Sequence, residues 1–360
     1  MKKIAIEEHC FTQYFLDFLQ SRKEFPRIES TLDEKGQKTW RWWNSSQEYQ
    51  PWLPAAVASK ICDDIGESRL EDMDEAGIDM QVLSFSTNID WLDATEGTNL
   101  TKKVNDIFAE AVNKYPNRFA AFAALYLKDS NAAADELDRS VKQLGFRGAM
   151  VVPHVNGEFI DDKKYWPVFQ KAAQLDVPVY IHPTFPPPDR LKQYSGYPEL
   201  VGAMWGYGAE TGLAAVRLIC SGVFDQYPDL KIILGHMGEA LPFWMPRLDG
   251  RMQSSTSTTL TLVSNRERKE ITDLPPLAKK LKKLPSQYIK DNFFVTTSGI
   301  FWQPVMQFVS SVLGTDKILF AVDYPFEASK EAAQFIESLA MPDDDKERIS
   351  HLNAQRLLRL

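Results

Sequence analysis

Short, nearly continuous apolar runs alternate with amphipathic stretches from one end of this chain to the other. Such runs suit strands covered by helices in a parallel sheet. They predict strands near 3–8, 80–85, 119–125, 148–152, 178–182, 231–235, 293–297 and 317–322. Eight strands with helical segments between them is the number a closed (β/α)8 TIM barrel requires. Helices are expected near 99–114, 130–143, 165–175, 209–221, 302–312 and 329–339, with a closing helix over 343–359. Another opens at Ser68, read as an N-cap followed by Glu71 and Asp72 in the first turn, and stops before Gly77.

Two stretches break the rhythm, and both are read as insertions into a single barrel domain spanning 1–360. Residues 10–67 hold Trp40, Trp42, Trp43 and Trp52; residues 251–290 hold a Ser/Thr-rich part from Ser254 to Thr261 and the lysines 279, 280, 282 and 283. Long loops inside a compact domain are functional or disordered, and the tryptophans are too apolar for a disordered segment. The first insertion therefore packs over the barrel mouth or against a second subunit, or else forms a small core of its own. An apolar patch of that kind predicts a homo-oligomer, a dimer or tetramer. The lysines read as the solvated face of a short helix.

Composition narrows the partners. A net charge of −8 argues against nucleic acid or anionic lipid. No apolar stretch reaches the length of a membrane span, and acid breaks the first apolar run too early for a signal peptide. Three widely spaced cysteines (Cys10, Cys62, Cys220) favour a reducing compartment over a disulfide scaffold. A cytoplasmic location is expected.

The chemistry sits where the strands end. Four runs finish on groups that bind metals or move protons: Glu7-Glu8-His9, His182, His236 and Asp323. In a parallel barrel the C-terminal strand ends converge on one mouth. Glu7 and His9 lie two apart and share a face of the extended chain, while Glu8 turns toward the helices or a salt bridge. Carboxylates with imidazoles suit one divalent ion, Zn²⁺ or Mn²⁺, and two carboxylates favour Mn²⁺. Glu239, three residues past His236, is expected in the first turn of the next helix. There it can orient the imidazole, offset the helix N-terminus, or do both. Arg247, two turns on, reads as an ion pair with Asp249 or a neighbouring helix. His154 either lines the pocket or bonds to backbone at its strand end.

At these residues the chain resembles the amidohydrolase superfamily, and within it the nonoxidative aromatic acid decarboxylases (γ-resorcylate, 2,3-dihydroxybenzoate and 5-carboxyvanillate decarboxylases). The resemblance runs through Glu-Glu-His at 7–9, Ile-His-Pro at 181–183, Gly-His-Met-Gly-Glu-Ala-Leu-Pro at 235–242, Val-Thr-Thr-Ser-Gly at 295–299 and Asp-Tyr-Pro-Phe-Glu at 323–327. Trp205-Gly206-Tyr207-Gly208-Ala209-Glu210-Thr211-Gly212 belongs to it too, and the central part is most similar to the 5-carboxyvanillate branch. The likeness implies that Glu7, His9, His182 and Asp323 hold the metal, His9 being the position that varies within the branch. It implies an acid–base pair of His236 with Glu239, and contact between Arg247 and a substrate carboxylate. The fourth strand carries no lysine to be carboxylated, which favours one metal over two.

These residues can run loss of CO₂ from a small aromatic hydroxy-carboxylate. Asp323 would move a proton from the ortho hydroxyl to the ring carbon, His236 would steady the phenolate, and Arg247 would hold the carboxylate. Trp205, Tyr207, Trp302 and Phe326 are candidate walls for a flat ring, against a bland reading as core. The rival is a metal-dependent hydrolase of a lactone or amide from the same superfamily. Hydration of an unsaturated dicarboxylate is a third enzymatic reading, and a catalytically silent barrel is a fourth.

Overall fold

A computed structural model describes residues 1–36, 38–43, 49–51, 60–61, 65–253 and 280–360. Eight parallel strand positions follow one another around a barrel. They are β1 (Ile4–His9), β2 (Met80–Ser84), β3 (Phe119–Ala121, resuming at Ala123–Ala124), β4 (Ala149–Val151), β5 (Val179–Ile181), β6 (Ile232–Leu234), β7 (Phe293–Thr296) and β8 (Ile318–Leu319). Each pairs in parallel with the next, β3 handing over from β2 to β4 at Phe122. The β8 chain returns to β1: Ile6 N–H donates to the Phe320 carbonyl, Asp323 N–H to that of Glu7, and His9 N–H to that of Tyr324. Each apolar run therefore becomes a strand, and the run expected at 119–125 is one strand in two pieces.

Side chains alternate between two cores. Ile4, Ile6, Val82, Phe122, Met150, Tyr180, Ile233, Phe294 and Leu319 fill the barrel interior. Their neighbours, such as Val179, Ile181, Ile232, Leu234, Ile318 and Phe320, pack against the helical layer. The tail plugs the interior with Ala354, Leu357 and Leu358. It is three short helical pieces rather than one, with a π-helical turn at Arg348–Leu352. Asn353 ties it on by donating to the carbonyls of Thr315 and Ile318.

Strand β1 departs from strict alternation, and the departure aims the site. Ala5 pairs with Gln81 and Glu8 with Leu83, so β1 spends three steps where β2 spends two. A bulge of this kind redirects side chains. Ile4 and Ile6 point inward below it, and Glu7 and His9 point inward above it. Glu8 is turned outward, where it accepts from Gln81 Nε2 at 2.7 Å and from Val322 N–H at 3.2 Å.

Three expectations change. The helix read as capped by Ser68 runs Glu67–Ala76, with Gly66 in the capping position and Ser68 exposed on its first turn. Its far end does fall at Gly77, which takes the left-handed conformation (φ 67°) that closes helices. In the first insertion, Arg27–Leu32, Lys38–Trp43 and Tyr49–Pro51 form a small antiparallel sheet. Trp40 joins the main core and Trp42 packs against it, so this sheet is continuous with the barrel's own core. Trp52, Cys62, Ser254 to Thr261 and Lys279 lie outside the described residues. Lys280, Lys282 and Lys283 precede the helix Pro285–Asn292 rather than lining it.

Leu358 sits in the floor of the barrel with almost no exposure. Leu358→Ala should lower unfolding stability by about 2–4 kcal/mol through the void it leaves, read from the denaturant midpoint.

Candidate metal centre

At the mouth, Glu7, His9, His182 and Asp323 each offer a ligand atom, and these atoms all lie within 4.8 Å of one another. Two strands, β1 and β5, and the loop after β8 supply them. Glu7 and His9 share one face of β1 above the bulge. His182 continues the inward parity of Tyr180 on β5. Asp323 continues that of Leu319 and Ala321, with the left-handed φ of 77° swinging its carboxylate between two imidazoles. One oxygen lies 3.1 Å from His9 Nε2 and the other 3.7 Å from His236 Nε2. Glu7 Oε1 lies 3.6 Å from His182 Nε2 and 3.9 Å from His9 Nε2.

The far side of each group is held. His9 Nδ1 lies 2.9 Å from Ser84 Oγ, and His182 Nδ1 donates to the Pro183 carbonyl at 2.8 Å. Both rings thereby turn Nε2 toward the cluster, the arrangement metal-binding histidines use. Burial pushes the His182 imidazole well below its usual range and so favours the neutral form a cation needs. Burial raises the carboxyl of Glu7. Burial also works to raise that of Asp323, but the imidazoles of His236 and His9 hold it far below the usual carboxylate range. Glu7 Oε1 is buried with no hydrogen-bond partner. A buried, unpaired carboxylate oxygen facing two imidazole nitrogens fits a divalent cation, so the residues present suit the metal.

Beside this cluster stands a second pair. The sequence places Glu239 on the first turn of a helix after His236, but the geometry is different. Residues 236–240 all have positive φ: 50° at His236, 56° at Met237, 85° at Gly238, 52° at Glu239 and 60° at Ala240. They make one left-handed turn before the right-handed helix Leu241–Gln253 begins. Glu239 thus lies just ahead of the helix rather than in its first turn. It faces back to His236, Oε1 lying 2.7 Å from Nδ1. Gly208 on the helix Gly206–Ser221 makes room, since a β-carbon there would meet Glu239 Oε2 at 2.9 Å. Burial lowers the basicity of His236, but the charge of Glu239 and the nearby Asp323 more than offset this and raise it well above the usual value. The arrangement favours the protonated imidazole.

The remaining candidates divide by distance. The Phe326 ring stands 5.9 Å from that of His9. Tyr207 packs edge-on to Phe185 at 5.2 Å, and burial with the charge of Asp323 pushes its hydroxyl up. Trp205 and Trp302 are 63% and 62% exposed, with no ring contact to the cluster. Arg247 is exposed on the helix Leu241–Gln253. It does not pair with Asp249, which instead accepts the Ser286 amide at 2.9 Å. No hydrogen bond joins Arg247 to the four-group cluster among the described residues. His154 bonds the Phe185 carbonyl through Nε2 at 3.0 Å, the bland role.

Sequence reading gave no role to Tyr180 or Ser84, nor to Thr296 and Ser298 within the Val-Thr-Thr-Ser-Gly motif. Tyr180 was within reach of it, two residues before His182 and therefore on the same strand face. Ser84, Thr296 and Ser298 also lie near strand ends, where a small hydroxyl gives no signal of its own.

With this geometry in hand, comparison with known proteins places the chain. The amidohydrolase family profile matches residues 63–360, and the chain belongs to that family, in its aromatic acid decarboxylase branch. It is 38% identical over 369 residues to a γ-resorcylate decarboxylase of Polaromonas sp. strain JS666, covering 99% of this chain and 98% of that protein. The crystal structure of a dihydroxybenzoic acid decarboxylase from Polaromonas sp. JS666, with bound manganese and the inhibitor 2-nitroresorcinol, superposes with a TM-score of 0.80 at 35% identity, covering 100% of this chain and 97% of that one. The 5-carboxyvanillate decarboxylase of Sphingomonas paucimobilis gives a TM-score of 0.82 at 32% identity, covering 100% and 99%.

Glu239→Gln removes the charge that holds the His236 proton. In the metal-free protein the imidazole should then titrate at lower pH, seen as a downfield-to-upfield NMR transition shifted toward acid. An unmoved transition would mean Glu239 does not set the basicity of His236.

Proposed function

We propose that this chain is a metal-dependent carboxy-lyase that removes CO₂ from an ortho-hydroxylated aromatic carboxylate without oxidation. One observation carries the reading: Asp323 bridges the four-group cluster and the charged His236–Glu239 pair, reaching an imidazole on each side. Glu7, His9, His182 and Asp323 are the proposed ligands of one divalent ion. Two carboxylates among four ligands favour Mn²⁺ over Zn²⁺, and the manganese bound in the Polaromonas structure supports that choice. The bound ion supplies Lewis acidity toward the phenolic and carboxylate oxygens.

The chain's own residues move the proton. Asp323, ionised by its imidazole neighbours, accepts the phenolic proton as substrate settles and delivers it to the ring carbon bearing the carboxylate. The bond from that carbon to the carboxylate then breaks, its electron pair restores the aromatic ring, and CO₂ departs. His236, kept charged by Glu239, donates to the phenolate oxygen and holds electron density there until the ring carbon is protonated. Tyr207 and Phe326 stand as ring walls at the mouth, with Trp205 and Trp302 farther toward solvent. Arg247, unpaired among the described residues, is the proposed carboxylate contact. The decarboxylase names of the relatives support this reading over hydrolysis.

No described helix is long and apolar enough to cross a membrane. Cys10 and Cys220 are free thiols, which supports the cytoplasm as the compartment. A second apolar surface supports a homo-oligomer. It is centred on the exposed Phe243, with the half-exposed rings of Trp244 and Phe308 lying 5.7 and 6.4 Å from it between ring centres. Light scattering of the native protein at the mass of one chain would remove that inference.

Hydroxybenzoates and carboxyvanillate, incubated with the Mn²⁺-loaded protein in D₂O, should release CO₂ and yield a phenol carrying deuterium at the vacated carbon. Water addition without CO₂ would overturn the reading in favour of a hydrolase. Asp323→Asn should lower kcat by about 100-fold or more, the usual scale of a lost proton carrier. Near-normal turnover would require a different route for the proton.

A further inference from the structure

One fully buried group at the site has no part in the chemistry above. Tyr180 projects from β5 into the barrel interior, directly beneath the mouth, with no exposed surface. An aromatic ring is ordinary filling there; a phenolic hydroxyl is not, because a buried hydroxyl without a partner is destabilising. This hydroxyl donates a hydrogen bond to Glu7 Oε2. It also lies 3.2 Å from Thr296 Oγ1, which is itself 3.4 Å from the same carboxylate oxygen. Thr296 Oγ1 is 2.7 Å from Ser298 Oγ, and Ser298 Oγ accepts the His236 backbone N–H at 3.1 Å. A buried line of hydroxyls thus runs from Glu7 to the residue that begins the left-handed turn.

The two oxygens of Glu7 are therefore unlike each other. Oε2 is occupied from below by Tyr180 and Thr296. Oε1 has no hydrogen-bond partner and faces the imidazoles of His182 and His9. The space around the pair is fully used: a β-carbon at Gly235 would lie 3.1 Å from the Tyr180 hydroxyl and 3.3 and 3.4 Å from the two carboxylate oxygens. Glu7 is held from beneath by a donor and pressed from the side by backbone that only glycine lets so close.

We propose that Tyr180 is a positioning residue that commits Glu7 to presenting a single oxygen, Oε1, to the divalent cation. The inference rests on Glu7 being a metal ligand. Tyr180 touches neither the cation nor the substrate; it acts by keeping the second carboxylate oxygen occupied and the carboxylate plane fixed. Loss of the hydroxyl leaves Oε2 free to turn upward, so that Glu7 chelates through both oxygens or rotates away from Oε1 presentation. Either change alters affinity and the ion's surroundings while the ring still fills the barrel.

The test is Tyr180→Phe, which keeps the ring and removes only the hydroxyl. Chelator-treated protein is titrated with Mn²⁺ by calorimetry, and the Mn²⁺ spectrum is recorded by electron paramagnetic resonance. The dissociation constant should rise about 10- to 100-fold, as for other lost supports of a ligand, with an altered spectrum. A constant within about twofold of the unmodified protein, with the same spectrum, would overturn the proposal and leave Tyr180 as filling. Should the Phe variant not fold, Thr296→Val removes the other support of Oε2: a weaker rise in the constant is expected, and no rise overturns the proposal. Glu7→Gln, titrated alongside, separates the two levels. Undiminished Mn²⁺ binding there would sink the ligand assignment itself. Lost binding there with an unchanged Tyr180→Phe would sink only the role given to Tyr180.

Discussion

Three carboxylates and three imidazoles are gathered within a few ångströms of one another, and the upper half of the barrel is organised around that electrostatic problem. Burying a lone charge is costly enough that the group would rather neutralise. Glu7 feels this most, being fully buried with one oxygen lacking any partner. Asp323 is ionised because imidazoles flank it on both sides, and His236 is charged because Glu239 faces it. The arrangement is a set of mutual compensations rather than a list of independent residues. A divalent cation among Glu7, His9, His182 and Asp323 would complete it by giving Glu7 Oε1 a counter-charge.

Strain is accepted where the chemistry needs a particular direction. Left-handed backbone disfavours residues with a β-carbon by roughly 1–2 kcal/mol each. His236, Met237, Glu239 and Ala240 all adopt it in succession, as does Asp323. Such conformations persist only when packing overrides them. The turn is fixed by the His236 amide on Ser298, by the His236–Glu239 hydrogen bond and by burial of Met237. What results is an imidazole whose Nδ1 is engaged and whose Nε2 looks at Asp323.

The same economy appears at the barrel's seam, where β8 is short and its continuation meets β1. Behind the inward-facing Glu7 and His9, the outward Glu8 accepts the Val322 amide, and Gln81 links it to Arg69 at 3.1 Å. Arg69 in turn donates to the His9 carbonyl at 2.6 Å and lies over the Tyr324 ring at 4.6 Å. The second glutamate of the Glu-Glu-His run is thus a fastener for the two strands that carry three of the four clustered groups. Burial pushes its own carboxyl well up, opposed first by the charge of Arg69 and then by the Val322 amide.

Alternating apolar and amphipathic segments determined the barrel, because strands sheathed by helices leave that mark directly in the chain. Strand-end placement likewise made Glu7, His9, His182, His236 and Asp323 legible as one set, since parallel strands must end on one face. Tertiary structure alone decided the rest. The bulge in β1 lets Ile6 and Glu7 both face inward, which no strict period of two can express, because the extra residue is defined only against the pairing with β2. The left-handed turn at 236–240 is a response to packing and hydrogen bonds from β7 and from Gly208, residues far away in the chain. The tryptophans of the first insertion could be read as apolar but not placed, since hydrophobicity says that a ring will be buried and only the neighbouring surfaces say against what.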